Sequence, residues 1–108
     1  MRKSEGKFYL KVHEVIYHGI KEYLVAVCDE EILGKTFEGK KFKIFVNPRF
    51  YKGKIATEEE VLEELSKATI ANLVGERIVK LAVEKEFVGK ENVIKIKGVP
   101  HAQFLVLK

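Results

Sequence analysis

Hydrophobic and polar residues alternate near the start of the chain. Phe8, Leu10 and Val12 interleave with Tyr9, Lys11 and His13, the period-two pattern of a half-buried strand over residues 7–14. Residues 22–28, Glu-Tyr-Leu-Val-Ala-Val-Cys, are continuous enough in apolar character to predict a more buried strand. The intervening Tyr17-His-Gly-Ile-Lys21 predicts a hairpin connection between the two. At Asp29-Glu-Glu-Ile-Leu-Gly34 acids precede two apolar residues and a glycine, which predicts a single helical turn or a tight turn. Phe42, Ile44 and Val46 then alternate with Lys41, Lys43 and Phe45. The pattern is that of a third strand, basic on one side and ended by Asn47-Pro48, with a loop over Arg49–Lys54.

The period then lengthens. Thr57 with Glu60 three residues on has the form of a capping box, so a helix is expected to start there with Val61, Leu62 and Leu65 as its core stripe. Residues 70–84 fit a second helix. Ile70, Ala71, Val74, Ile78 and Leu81 fall on one half of the cylinder, while Asn72, Glu76, Arg77, Lys80 and Glu84 gather on the other with Leu73 among them. Gly75 lies on the apolar half, where a missing side chain lets another part of the chain approach closely. Alternation returns at Val93–Lys97, followed by an expected turn over Gly98–Gln103 and a last apolar strand through Leu107. The order βββααββ predicts an α+β fold: one two-layer domain over residues 1–108, a mainly antiparallel sheet with two helices on one face.

A chain of 108 residues with 46% hydrophobic content can bury the core of one domain. Lys and Glu dominate the charged residues, whereas Gln occurs once and Asn three times, a tilt expected of proteins that work at high temperature. No apolar run has the length of a secretion signal or a membrane helix, so a cytoplasmic protein with no membrane partner is expected. Cys28 is the single cysteine and has no second thiol for an internal disulfide.

Charge changes the picture more than composition does. Between Lys35 and Lys54 stand seven basic residues and one acid, Glu38, whereas the rest of the chain is slightly acidic. Such a concentration is the electrostatic footprint of a phosphate-meeting surface, although a solvated face has the same composition. Lys41, Lys43, Arg49, Lys52 and Lys54 are the candidate phosphate contacts, and Tyr51 is the candidate stacking residue for an unpaired base.

Other candidates carry less. Cys28 with His101 or His13, and Asp29 or Glu14 as orienting acid, has the residue types of a thiol enzyme, but a cysteine ending an apolar strand is usually a small core residue. His13, His18, His101 and Cys28 lack the short spacings of a metal site, so no metal or other cofactor is expected. Asn72, Leu73, Glu76, Arg77, His101 and Gln103 form a candidate polar docking surface or pocket, with Leu73 or Arg77 as interface anchor. Hydrogen bonding within the fold is the plainer role for their polar groups.

Five segments carry a resemblance. Lys11-Val-His-Glu14, Val25-Ala-Val-Cys-Asp-Glu-Glu-Ile-Leu-Gly-Lys35, Phe50-Tyr-Lys-Gly53, Ala71-Asn-Leu-Val-Gly-Glu-Arg77, and Asn92 followed by Gly98-Val-Pro-His-Ala-Gln103 resemble the archaeal domain of unknown function 424 family. The resemblance implies a small archaeal cytosolic α+β protein and supplies no reaction, ligand or catalytic set. The residues themselves favour a non-enzymatic module that binds RNA or a ribosomal or other translation-associated ribonucleoprotein. The alternatives are a protein-interaction adaptor and a small cysteine-dependent enzyme. The oligomeric state is not legible.

Overall fold

A computed structural model describes residues 8–106. Strands β1 (Phe8–Tyr17) and β2 (Ile20–Asp29) form a long antiparallel hairpin. Its two-residue turn, His18-Gly19, has φ of 53° and 76°, the left-handed pair whose twist matches that of the flanking strands. A 3₁₀ turn (Glu30–Ile32) follows, then the short strands β3 (Thr36–Glu38) and β4 (Lys43–Phe45), helix α1 (Pro48–Tyr51) and β5 (Lys54–Ala56). The second half holds α2 (Glu58–Lys67), β6 (Ile70–Val74), α3 (Glu76–Glu84), a second 3₁₀ turn (Lys90–Asn92), β7 (Ile94–Ile96) and β8 (Val99–Leu105).

Six strands form one sheet in the order β5-β1-β2-β6-β8-β7, and β3 and β4 form a separate two-stranded sheet. All pairings in the large sheet are antiparallel except β2 with β6. Side-chain alternation sorts the residues into two clusters. On one face Phe8, Leu10, Val25, Val27, Leu73 and Ala102 pack against Val61 and Leu65 of α2 and Ile78 and Ala82 of α3. On the other, Ala26, Cys28 and Val74 pack against Val46 and Tyr51, with Phe37 and Ile44 beside them. The fold is therefore α+β with both long helices on one face, and the excursion from β3 to α1 covers part of the opposite face.

Local signals placed several elements. Thr57 and Glu60 form the reciprocal capping box of α2. Asn47 caps α1 by accepting the Arg49 N–H, with Pro48 at the first helical position, where a missing N–H costs nothing. Part of the expected 49–54 loop is thus a helical turn.

Three expectations are corrected. Residues 70–74 are a strand: Ile70 and Val74 satisfy the helical period by coincidence, but pairing with β2 on one side and β8 on the other buries Leu73 and Val74 on opposite faces. The helix begins only after Gly75, whose φ of 126° and ψ of 153° no helix contains. Residues 43–45 pair with β3 outside the large sheet, and their buried side is Ile44 with neighbouring Val46, while Phe42 faces solvent. Finally, only Lys97-Gly98 turns, with φ of 55° and 80°; Val99–Gln103 belong to β8. Leu107 lies outside the described residues.

Candidate nucleic-acid interface

The β3–β4 hairpin is built to hold one side in and show the other. Thr36 pairs with Phe45, Phe37 with Ile44 and Glu38 with Lys43, and paired residues share a face. Phe37 and Ile44 enter the second core, so Thr36, Glu38, Lys43 and Phe45 point outward. Lys40 and Lys41 form the tip, closed by the Gly39 N–H donating to the Phe42 carbonyl at 2.8 Å. A Cβ on Gly39 would sit 3.7 Å from the Lys97 backbone nitrogen and 3.8 Å from Ile96 Cγ2. The tip therefore rests against the β7–β8 turn, and exposed Lys97 joins the lysines of the hairpin.

At its other end the excursion is tied to β1. Lys11 Nζ donates to the Arg49 carbonyl at 2.9 Å, and the His13 ring stacks on Phe50 at 4.9 Å while its Nε2 lies 2.9 Å from the Phe50 carbonyl. The basic surface thus runs from the β7–β8 turn to α1 over β1. That distance is four strand spacings, roughly 19 Å.

Lys40, Lys41, Lys43, Arg49 and Lys52 are exposed, and the ion pairs among the described residues involve Lys54, Lys67 and Arg77 but none of these five. Lys54 is less free: its Nζ lies 3.7 Å from Glu60, whose carboxyl is held low by the Thr57 N–H and by Lys54. Lys35 faces Glu31. Across from Lys43 stands Glu38, the acid that the hairpin itself supplies.

Tyr51 is not a stacking residue. It is 5% exposed, wedged against the second core, with its phenol pushed upward by burial. The aromatics of this segment that do face solvent are Phe42 and Phe45, at 56% and 49% exposure. Alternation placed Phe45 on the basic side with Lys41 and Lys43, but it hid Phe42, which it groups with Ile44 and Val46 on the apolar side. Lys97 was missed for another reason: its neighbours in space are some fifty positions away in the chain.

The docking candidates do not assemble. Leu73 is fully buried between the helices and the sheet and anchors no surface. Asn72 and Gln103 pair across β6 and β8 and share a face with His101, whereas Glu76 and Arg77 stand at the start of α3. Arg77 pairs with Glu31 and covers the Phe8 ring. Partial burial opposes ionisation of Glu31, but the Arg77 bond and charge outweigh it and its carboxyl is lowered. Burial alone lowers the His101 imidazole.

The thiol constellation does not assemble either. Cys28 pairs with Val74, and Val74 with His101, which sets Cys28 and His101 two strand spacings apart, roughly 10 Å. His13 lies four residues along β1 from Tyr9, the partner of Cys28, again roughly 13 Å away. Cys28 is fully buried, and burial together with the Asp29 charge pushes its thiol up to about 12, the reverse of an activated nucleophile. Among the described residues no three His, Cys, Asp or Glu side chains cluster as metal ligands.

The family model described as a protein of unknown function (DUF424) matches residues 17–107. The chain belongs to the DUF424 family. The matched span takes in four of the five signature segments and begins after Lys11–Glu14. No curated protein matches this DUF424 chain. It is similar in fold to an uncharacterized conserved protein from Methanopyrus kandleri seen in a crystal structure: TM-score 0.73 and 21% identity over 94% of this chain and 95% of that one. No helix among the described residues is long and apolar enough to cross a membrane.

Proposed function

We propose that this DUF424 protein is a non-enzymatic RNA-binding module, with a partner that is RNA or a translation-associated ribonucleoprotein and with the cytoplasm as its site of action. The observation that carries this reading is the joining of two hairpins into one basic surface. The tip that carries Lys40 and Lys41 rests through Gly39 against the Lys97 backbone, and Lys43, Arg49 and Lys52 extend the surface toward β1. Lysines gathered in this arrangement repel one another, and a polyanion relieves that repulsion while releasing counterions. Each buried or ion-paired candidate subtracts from the rival readings. Leu73 has no exposed surface for an adaptor contact, and Cys28 is held protonated.

The test is the salt dependence of RNA binding. Affinity is expected to fall steeply and linearly on a logarithmic salt scale. Replacing Lys40 and Lys41 by Gln is expected to lessen the slope by about 1 for each phosphate that is no longer neutralised. A protein that binds no RNA at low salt, or whose slope ignores these lysines, has another role.

A further inference from the structure

The two exposed rings of the basic hairpin belong to neither hydrophobic cluster. The inner face of β3 and β4 is already filled by Phe37 and Ile44, and the ladder pairs Phe45 with Thr36, a position that a β-branched or polar residue would serve as well. Leaving a Phe ring in water forgoes the gain its burial would bring. Phe45 nonetheless shares its face with Lys43, and Phe42 stands beside the Lys40-Lys41 tip. The odd spacing sets the rings on opposite sides of the hairpin: Phe42, facing Gly39 across the tip, takes the side of Ile44 but lies beyond the core, whereas Phe45 takes the outward side with Lys43. The other large group of exposed apolar residues, Ile16, Tyr17, Ile20, Leu105 and Val106, lies at the far tip of the β1–β2 hairpin and the end of β8. The exposed ring of that group, Tyr17, lies away from the basic surface, whereas Phe45 lies on it beside Lys43.

The lysines fix where phosphates lie, and Phe45 shares the outward face of Lys43, so a bound strand brings a base to Phe45. In a duplex base faces are already stacked on one another and closed to a side chain; in an unpaired strand they are open. From this coincidence of ring and cation we infer that the interface takes single-stranded RNA, with one base on Phe45. The inference rests on the RNA-binding reading above and narrows it to unpaired strand. Glu38, across from Lys43, keeps the charge below its maximum, and the Phe45 ring supplies contact that salt does not screen.

The experiment is fluorescence anisotropy of the full chain with a labelled, unstructured RNA of about 12 nucleotides, the same strand annealed to its complement, and polyglutamate as competitor. The single strand is expected to bind about tenfold more tightly than the duplex, Phe45→Ala to weaken it about tenfold, and Phe42→Ala, on the other side of the hairpin, to leave it within about twofold. Duplex binding and the salt slope are expected to stay unchanged in both variants, and Phe45→Tyr to retain affinity, since it keeps a ring. Equal affinity for strand and duplex, a Phe45→Ala variant within about twofold of the parent, or polyglutamate competing as well as RNA would overturn base stacking. If the salt-dependent binding persists in those cases, the basic interface stands without it. Absence of any RNA binding by the parent chain at low salt overturns both.

Discussion

The Asp29 carboxylate occupies the place where a side chain on Gly75 would begin: a Cβ there would lie 2.4 Å from Asp29 Cγ. From that position Asp29 accepts the Arg77 and Ile78 backbone N–H groups, both at 2.9 Å, and so caps α3 from the end of β2, a neighbouring strand. The helix has no side-chain cap of its own because its first residue follows glycine. Two orphan donors of the helix start are satisfied across the fold. Gly75→Ala is expected to cost roughly 2–4 kcal/mol, since it adds the clash to a backbone conformation that only glycine adopts readily. Asp29→Ala is expected to cost roughly 1–3 kcal/mol by leaving buried N–H groups without partners. Urea unfolding checks both, and an unchanged midpoint in Gly75→Ala would remove the steric account.

Cys28 makes stability fall at alkaline pH. Its folded thiol is raised to about 12 from an ordinary 9.0, so between those values the unfolded chain releases a proton that the folded chain keeps. The folded state then binds more protons, and stability decreases as pH rises, by at most about 1.4 kcal/mol per pH unit from this group. The contribution is intact below pH 9 and lost on the way to 12. Cys28→Ala is expected to flatten that slope relative to its own value at neutral pH. Thiol reagents are expected to label Cys28 only at the rate of unfolding, and rapid labelling of the folded chain would contradict its burial.

Tyr51 and Phe45 exchange the roles that their setting in a basic segment suggests. Tyr51→Ala is expected to destabilise by roughly 3–5 kcal/mol because it empties part of the second core. Phe45→Ala is expected to change stability by no more than about 0.5 kcal/mol. Thermal and urea unfolding of the two variants decide this independently of any ligand. Comparable losses in both would mean that Phe45 packs against the fold.

Glu38 is the acid on the outward face of the hairpin, across from Lys43. Glu38→Gln is expected to tighten RNA binding roughly two- to fivefold at low salt, the effect of removing one exposed like charge from the phosphate path. The gain should shrink as salt rises. Weaker binding by this variant would place the RNA on another surface.

Lys97 and Lys95 are two residues apart yet differ in position. Lys97 sits in the turn against the hairpin tip, whereas Lys95 pairs with Pro100 and lines the groove beside α3 with Val79, Val83 and Val93. Lys97→Gln is therefore expected to lessen both RNA affinity and the salt slope, by about 1 in the slope if it holds one phosphate. Lys95→Gln is expected to leave both unchanged. Titration of the two variants side by side makes the comparison, and equal effects would argue for a diffuse charge instead of a defined surface.

The sequence by itself determined what depends on neighbours along the chain. The His18-Gly19 turn, the Thr57–Glu60 capping box, the amphipathic α3, the 3₁₀ turn after Asp29 and the basic concentration from Lys35 to Lys54 follow from local backbone preference and short-range hydrogen bonds. The class of fold followed from the alternation of periods. Tertiary structure alone decided the rest. Ile70–Val74 is a strand because β2 and β8 flank it, and no local signal competes with two ladders of hydrogen bonds. The pairing of β3 with β4 outside the large sheet decided that Phe42, which alternation groups with Ile44 and Val46, ends beyond the core at the hairpin tip. Long-range packing likewise brought Asp29 to the start of α3 and Lys97 to Gly39, joining residues that sequence spacing leaves dozens of positions apart.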